Sequence, residues 1–334
     1  MSETHNDHVH AVVTGAKSRS HVLYIASYLR RVLQDLSDAG RLRVSFVPAA
    51  AFLTAPAVGV EDARALLPDD PRLSLEEGMA GWRFAEGARA LYVSVGTPGL
   101  KALVALRRAN GVRPIHVVVT DEGIGTYGSW TTRRDAIRRQ GAAPVTATLM
   151  AGFIAATGKA LTSERWPAYR RTSHGWEVTE AVRAEFRAHT EGASRSVRRS
   201  AVILTQPFVD LGLIDEKRYV DYVRGLVASC ADAGLEPLVR AHPAEDVRRY
   251  DEFEVMRSRG TAELDPLVVG ADAVLGGPST ALINLSAMFG ANVVWVSEPS
   301  LTFLDTDVSE AQRQIFAAFL GRPVRPVDVA ARLA

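Results

Sequence analysis

Residues 273–296 read AVLGGPSTALINLSAMFGANVVWV, and this stretch decides the fold. Ala273 to Leu275 is a short apolar run bounded by glycine, which predicts a buried strand. Gly276, Gly277 and Pro278 break the run, and Ser279 and Thr280 supply hydroxyls suited to a helix N-terminus. Ala281 to Phe289 predicts a helix, with Gly290 at its end. Val293 to Val296 is a second apolar run. A strand, a helix and a strand packed so closely make a crossover, and a crossover joins parallel strands.

The same rhythm extends back along the chain. Val202 to Thr205 predicts a strand, Glu216 to Ala233 a helix closed by Gly234, and Leu238 to Ala241 another strand. In the first half, Ala11 to Gly15, Arg43 to Val47, Leu91 to Val95 and Ile115 to Val119 predict four strands. Helices are expected from Ser20 to Ala39 and from Pro98 to Arg108, with Pro98 in the first turn. Glu61 to Leu67 and Glu76 to Glu86 are also expected to be helical. Thr131 to Arg139 predicts a basic helix and Val145 to Thr157 an apolar one. The charged stretch Thr172 to Arg199, with serine and arginine clustered over Ser194 to Ser200, predicts the connection between two halves. The expected division is 9–195, 196–320 and a tail, 321–334. A length of 334 residues suits two domains of about 150 residues. The fold class is α/β, with two Rossmann-like domains expected to face a central cleft.

Composition narrows the function. The net charge of +1 gives no overall basic bias toward nucleic acid. The single cysteine, Cys230, cannot build a disulfide within one chain, and no neighbour would lower its pKa. Met1 to His10 is polar, which predicts no signal peptide, and no apolar run approaches the length of a membrane span. Together these features predict a cytoplasmic protein. His5, His8 and His10 are read as a mobile tail rather than a metal cluster.

Three segments follow predicted strands, where open parallel sheets bind ligands. Asp121, Glu122 and Gly123 follow Val117 to Val119. A carboxylate there suits a general base, and adjacent like charges raise the pKa of one of them. A solvated acidic turn is the plainer reading. Arg240, Ala241, His242 and Pro243 follow Leu238 and Val239. Pro243 holds His242 extended, opens a following helix, and leaves the imidazole to donate to a phosphate. An ordinary strand-to-helix turn would look the same. Gly276, Gly277, Pro278, Ser279 and Thr280 offer close backbone approach and two hydroxyls at a helix N-terminus, as phosphate site, as helix cap, or as both.

An acidic-acidic-glycine turn, then a histidine-proline turn, then a Ser-Ser or Ser-Thr pair before a helix resembles the three motifs of bacterial sialyltransferases, above all the capsular polysialyltransferases and lipooligosaccharide sialyltransferases. Here these are Asp121-Glu122-Gly123, His242-Pro243 and Ser279-Thr280. Leu204-Thr205-Gln206-Pro207 looks like the opening of that family's second domain. The resemblance is best from Ala201 to Ser297. It implies a GT-B fold, a CMP-sugar donor, inversion at the anomeric carbon, and no metal or other cofactor. It makes Asp121 or Glu122 the base, with Asp121 favoured, and lets His242 assist departure of CMP. Ser279 and Thr280 would hold the phosphate, beside Gln206, Pro243, Gly276 and Gly277.

The function expected is therefore transfer of a sialic acid-like nonulosonic sugar from CMP to a glycan or glycolipid hydroxyl. A teichoic acid-type CDP-glycerol or CDP-ribitol phosphotransferase is the runner-up. A UDP-sugar enzyme and a non-catalytic nucleotide-sugar-binding module rank below it. Gly15, Ala16, Lys17 and Ser18 end like a phosphate-binding loop, but position 10 is His where that pattern has its first glycine. Gly15, Ser18, Ser20 and His21 are expected on the acceptor side, unless Ser18 merely caps a helix. Arg133, Arg134, Arg138 and Arg139 suit either a solvated helix face or an anionic membrane surface. Thr148 to Ile154 suits core packing or a shallow membrane contact.

Overall fold

The computed structural model describes residues 7–49, 57–139, 141–190, 199–257, 260–298 and 308–334. The chain divides into two compact units. Unit 1 comprises the residues up to Arg170, without 52–56, plus Thr179–Glu185; unit 2 includes Arg171–Val178 and Phe186–Ala334. The boundary expected at 195/196 falls within 191–198, outside the described residues.

Unit 1 runs β1 (His8–Thr14), α1 (Arg19–Gln34), β2 (Arg41–Val47), α2 (Val60–Leu66), β3 (Leu73–Glu77), β4 (Arg89–Val95), α3 (Leu100–Asn110), β5 (His116–Thr120), α4 (Trp130–Arg139), α5 (Pro144–Leu161) and β6 (Glu164–Trp166). The six strands are parallel in the order β3-β2-β1-β4-β5-β6. Strand order therefore reverses between β1 and β4, which makes that edge the switch point of the sheet. Val12, Tyr92 and Val117 lie in a core under α3, with Leu103 and Leu106.

β7 (Tyr169–Thr172) and β8 (Gly175–Val178) pair as a two-stranded sheet and lead into α6 (Glu180–Ala188). Unit 2 continues with β9 (Ser200–Leu204), α7 (Glu216–Asp232), β10 (Glu236–Arg240), α8 (Pro266–Val269), β11 (Ala273–Gly276), α9 (Thr280–Phe289), β12 (Val293–Trp295), α10 (Glu310–Phe319) and α11 (Val329–Leu333). Its sheet is parallel in the order β10-β9-β11-β12, with the switch point between β9 and β11. Ile203, Leu275, Leu226 and Cys230 form its core with Val329, so the residues set apart as a tail pack into this unit. Burial pushes the Cys230 thiol up to about 12, which removes it as a nucleophile.

Several expectations need correction. Residues 76–86 are not a helix. Glu76 and Glu77 end β3, and Gly78 and Gly81 take left-handed φ of 68° and 58°, which no α-helix accommodates. α3 starts at Leu100 with Gly99 as its cap, so Pro98 lies outside it. The stretch 172–199 holds part of a hairpin and a helix. The segment around His8 and His10 is strand rather than tail. His10 is buried, donates through Nε2 to Ser45 Oγ (2.8 Å), and accepts the Ala85 N–H at Nδ1 (2.9 Å). His5 lies outside the described residues.

Candidate functional site

The ends of β10, β9 and β11 are in register, with Arg240 opposite Leu204 and Leu204 opposite Gly276. The turns beyond them therefore leave the sheet edge side by side, one strand spacing (about 4.8 Å) apart. This brings together Gln206, His242 and the segment Gly276–Thr280. A Cβ at Gly276 would lie 2.9 Å from the Leu204 carbonyl oxygen, so only glycine fits. Gln206 Nε2 donates to the Pro278 carbonyl (3.4 Å) beside Gly277, across the switch point. Ser279 caps α9 in extended geometry, its hydroxyl oxygen accepting the Leu282 N–H at 3.2 Å. The cap leaves the Ser279 hydroxyl proton for another acceptor, and Thr280 opens the helix. The positive end of the α9 dipole thus sits at the point where strand order reverses.

His242 is half-buried, and its Nδ1 accepts the Ala244 N–H (3.1 Å). The neutral ring therefore carries its proton on Nε2 and can donate from there. Burial lowers its pKa, opposed by the charge of Asp210, and this favours the neutral form. Pro243 is exposed and opens no α-helix; a turn and the 3₁₀ segment Val247–Tyr250 follow. The expected helix N-terminus beside His242 is therefore absent.

The turn is held instead by Glu245, which no sequence motif singled out. Its buried carboxylate accepts the His242 N–H (2.8 Å), the Tyr250 hydroxyl (2.8 Å) and the Thr205 hydroxyl. Burial raises its pKa against these hydrogen bonds. A carboxylate three residues after the histidine was the available signal, because that spacing closes a turn onto the histidine N–H. Arg240 pairs with Asp265 at 2.6 Å, both buried, and supports the strand end.

In unit 1, β1, β4 and β5 also end in register: Thr14 lies opposite Ser94, and Val95 opposite Thr120. Gly15, Gly96 and Asp121 follow directly. Gly15 has φ of 85° and Gly96 φ of 67°, and a Cβ at Gly96 would lie 2.6 Å from Glu122 Oε2. The Glu122 carboxylate thus rests on bare backbone at the switch point, and its side chain is exposed. Its peptide is clamped from both sides. The N–H donates to Thr126 Oγ1 (3.0 Å), and the carbonyl accepts from His21 Nε2 (3.2 Å). Gly123 takes φ of 99°, which turns the chain into the 3₁₀ segment Ile124–Tyr127.

Asp121 faces the other way. It is 2% exposed, and its Oδ2 accepts the Tyr127 hydroxyl (2.5 Å) and the Ala168 N–H (2.8 Å). Burial pushes its carboxyl up to about 7 against both hydrogen bonds, and the Glu122 charge adds to the rise. The neighbouring carboxylate is therefore a secondary cause, not the main one.

The acceptor-side residues divide. Ser18 caps α1, accepting the His21 N–H at 3.3 Å, and Ser20 is buried. His21 accepts the Lys17 N–H at Nδ1 (3.0 Å), and burial pushes its pKa down to about 4. It is a neutral clamp on the Glu122 loop. Among the described residues, no three His, Cys, Asp or Glu side chains gather as metal ligands.

No protein-family model matches the chain. No curated protein matches it in sequence. Among solved structures it is similar to S. aureus MnaA with UDP, at 11% identity and a TM-score of 0.56, covering 97% of this chain and 86% of that one. A putative UDP-N-acetylglucosamine 2-epimerase from Listeria monocytogenes gives 10% identity and a TM-score of 0.50, over 97% and 94% of the two chains. The GT-B domain of a sialyltransferase from Photobacterium damselae gives 12% and 0.46, over 92% and 96%. At such identities likeness speaks for architecture alone: the chain has the GT-B fold, with two Rossmann-like units in one polypeptide.

Proposed function

We propose that the protein is an inverting glycosyltransferase that moves a sialic acid-like nonulosonic sugar from its CMP ester to a glycan or glycolipid hydroxyl, in the cytoplasm and without a metal. The supporting observation is the register-matched edge of unit 2. It sets a histidine with a donor Nε2–H, a capping serine, a helix N-terminus and a close-packed glycine around one switch point. That set suits a phosphate monoester leaving from a sugar.

In this scheme unit 2 holds the donor. His242 Nε2–H and the Ser279 hydroxyl donate to the phosphate oxygens as the bond from the anomeric carbon to the phosphate oxygen breaks. CMP leaves with the electron pair. Unit 1 supplies the base. The acceptor hydroxyl gives its proton to a carboxylate, and its oxygen attacks the face opposite CMP. In this reading burial favours Glu122 for the role over Asp121, the residue favoured by sequence. Of the two, only Glu122 has an exposed carboxylate, while both hydrogen bonds to Asp121 Oδ2 hold the surrounding loops. Asp121 is then a positioning residue.

The test is a thermal-shift screen against CMP, CDP, UMP and UDP. A ligand at about 100 times its Kd adds about 2.7 kcal/mol, or several degrees for a unit of this size. Stabilisation by CMP that disappears in His242→Ala supports the assignment. Stabilisation by CDP alone favours a glycerol- or ribitol-phosphate transferase. UDP alone favours a UDP-sugar enzyme, and no response to any of the four overturns the nucleotide site.

A further inference from the structure

Against the expectation that no apolar run approaches a membrane span, helix α5 is 18 residues long with a mean hydropathy of 1.2, enough by length and composition to cross a membrane. Its packing is the reverse of the usual amphipathic arrangement. The small residues Ala147, Ala151 and Gly158 face inward, while Val145, Leu149 and Phe153 are 72%, 68% and 55% exposed. These three recur every four residues, so they form one stripe. A continuous apolar stripe on a folded unit marks a contact surface.

The helix cannot span a bilayer, because both of its ends belong to unit 1. α4 packs along it, and β6, which follows within three residues, pairs with β5 in the sheet. It can lie on a bilayer. Charge indicates which kind. Residues 130–161 contain Arg133, Arg134, Arg138, Arg139 and Lys159, against Asp135 as the one acidic residue. Asp135 is already paired with Arg134 at 2.8 Å. Trp130, half-exposed at the start of α4, lies under the Arg134 guanidinium at 5.4 Å. Tryptophan with a basic neighbour suits the polar boundary of a membrane.

We propose that the outer face of α5, with the basic helix α4 and its exposed Arg138 packed beside it, docks on an anionic phospholipid bilayer. A second copy of the chain fits this face poorly, since face-to-face pairing would oppose like charges. The docking face is also connected to the candidate base. Arg133 Nη1 donates to Thr97 Oγ1 (3.4 Å), and a Cβ at Gly158 would lie 3.5 Å from Thr97 Cγ2. Thr97 adjoins Gly96, on which the Glu122 carboxylate rests. The docking stands independently of the reaction assigned above. Its consequence, that the acceptor is anchored in the same membrane, rests on that reaction.

The experiment is co-sedimentation of the full chain with vesicles of phosphatidylcholine alone and with added phosphatidylglycerol. The protein should bind the anionic vesicles and lose binding as salt is raised. The double variant Leu149→Ser/Phe153→Ser should bind at least about tenfold more weakly, with unchanged circular dichroism and melting temperature. Arg138→Glu should bind a few-fold more weakly. Failure to bind either vesicle overturns docking, as does undiminished binding by the double variant. Equal binding to both vesicle types overturns the anionic requirement. A solution dimer that the double variant converts to monomer makes a second copy the occupant instead.

Discussion

Replacing Asp121 by asparagine removes a titration that the fold makes unfavourable, and the effect can be sized. The carboxyl rises from 3.8 to about 7 on folding, chiefly through burial. Because the folded pKa is raised, the contribution to stability is fully present below about pH 4. Between about pH 4 and 7 the folded chain keeps a proton that the unfolded chain has released. Stability therefore falls as pH rises, and the contribution is gone above pH 7. Three units at about 1.4 kcal/mol each set a ceiling of about 4 kcal/mol. Asparagine keeps a neutral oxygen for the Tyr127 and Ala168 donors and does not titrate.

Two histidines act in the opposite direction. Burial lowers His10 and His21 to about 4, so their contribution is present above about pH 6.5 and lost as pH falls. They are common to both proteins and cancel in a comparison. Urea denaturation from pH 4.5 to 7.5 should show Asp121→Asn gaining on the parent by a few kcal/mol as pH rises. Parallel curves would refute the buried neutral carboxyl. A variant that loses ground with rising pH would show Asp121 charged and stabilised in the folded chain.

Further substitutions test the positioning of the site. Gly96→Ala should push the Glu122 carboxylate aside, since its Cβ would lie 2.6 Å from Oε2. Turnover should fall at least about tenfold while stability drops by about 1–2 kcal/mol for the left-handed backbone; measured turnover near the parent's would show that Glu122 need not rest there. Glu245→Gln weakens the clamp on the His242 N–H, so kcat should fall more than melting temperature alone explains, as steady-state kinetics would reveal. In Gly276→Ala the added Cβ meets the Leu204 carbonyl oxygen at 2.9 Å. Nucleotide affinity, read by calorimetry, should fall about tenfold or more.

Much of the architecture is legible in the sequence because buried parallel strands leave apolar runs and crossovers leave amphipathic spacing. The stretch 273–296 carries both signals and forms β11, α9 and β12 with ends close to those expected. β3 and β6 were invisible for a physical reason. Leu73–Glu77 and Glu164–Trp166 sit at sheet edges, carry charged residues and show no apolar run. Glycine and proline punctuation located the turns of the candidate site. It could not say which of two adjacent acids faces outward. That depends on Tyr127 and on Ala168, 47 residues downstream, which only the folded chain brings to Asp121. Likewise Pro243 suggested a helix, but Glu245 folds back onto the His242 N–H and makes a tight turn instead.

The central claim is tested most directly by CMP release from CMP-N-acetylneuraminic acid, measured with and without a panel of glycan acceptors. The account predicts acceptor-stimulated release by the parent chain, lowered about a hundredfold or more in Glu122→Gln and much less in Asp121→Asn assayed where it is folded. No release by the parent chain with any acceptor, or full activity in Glu122→Gln, would contradict it.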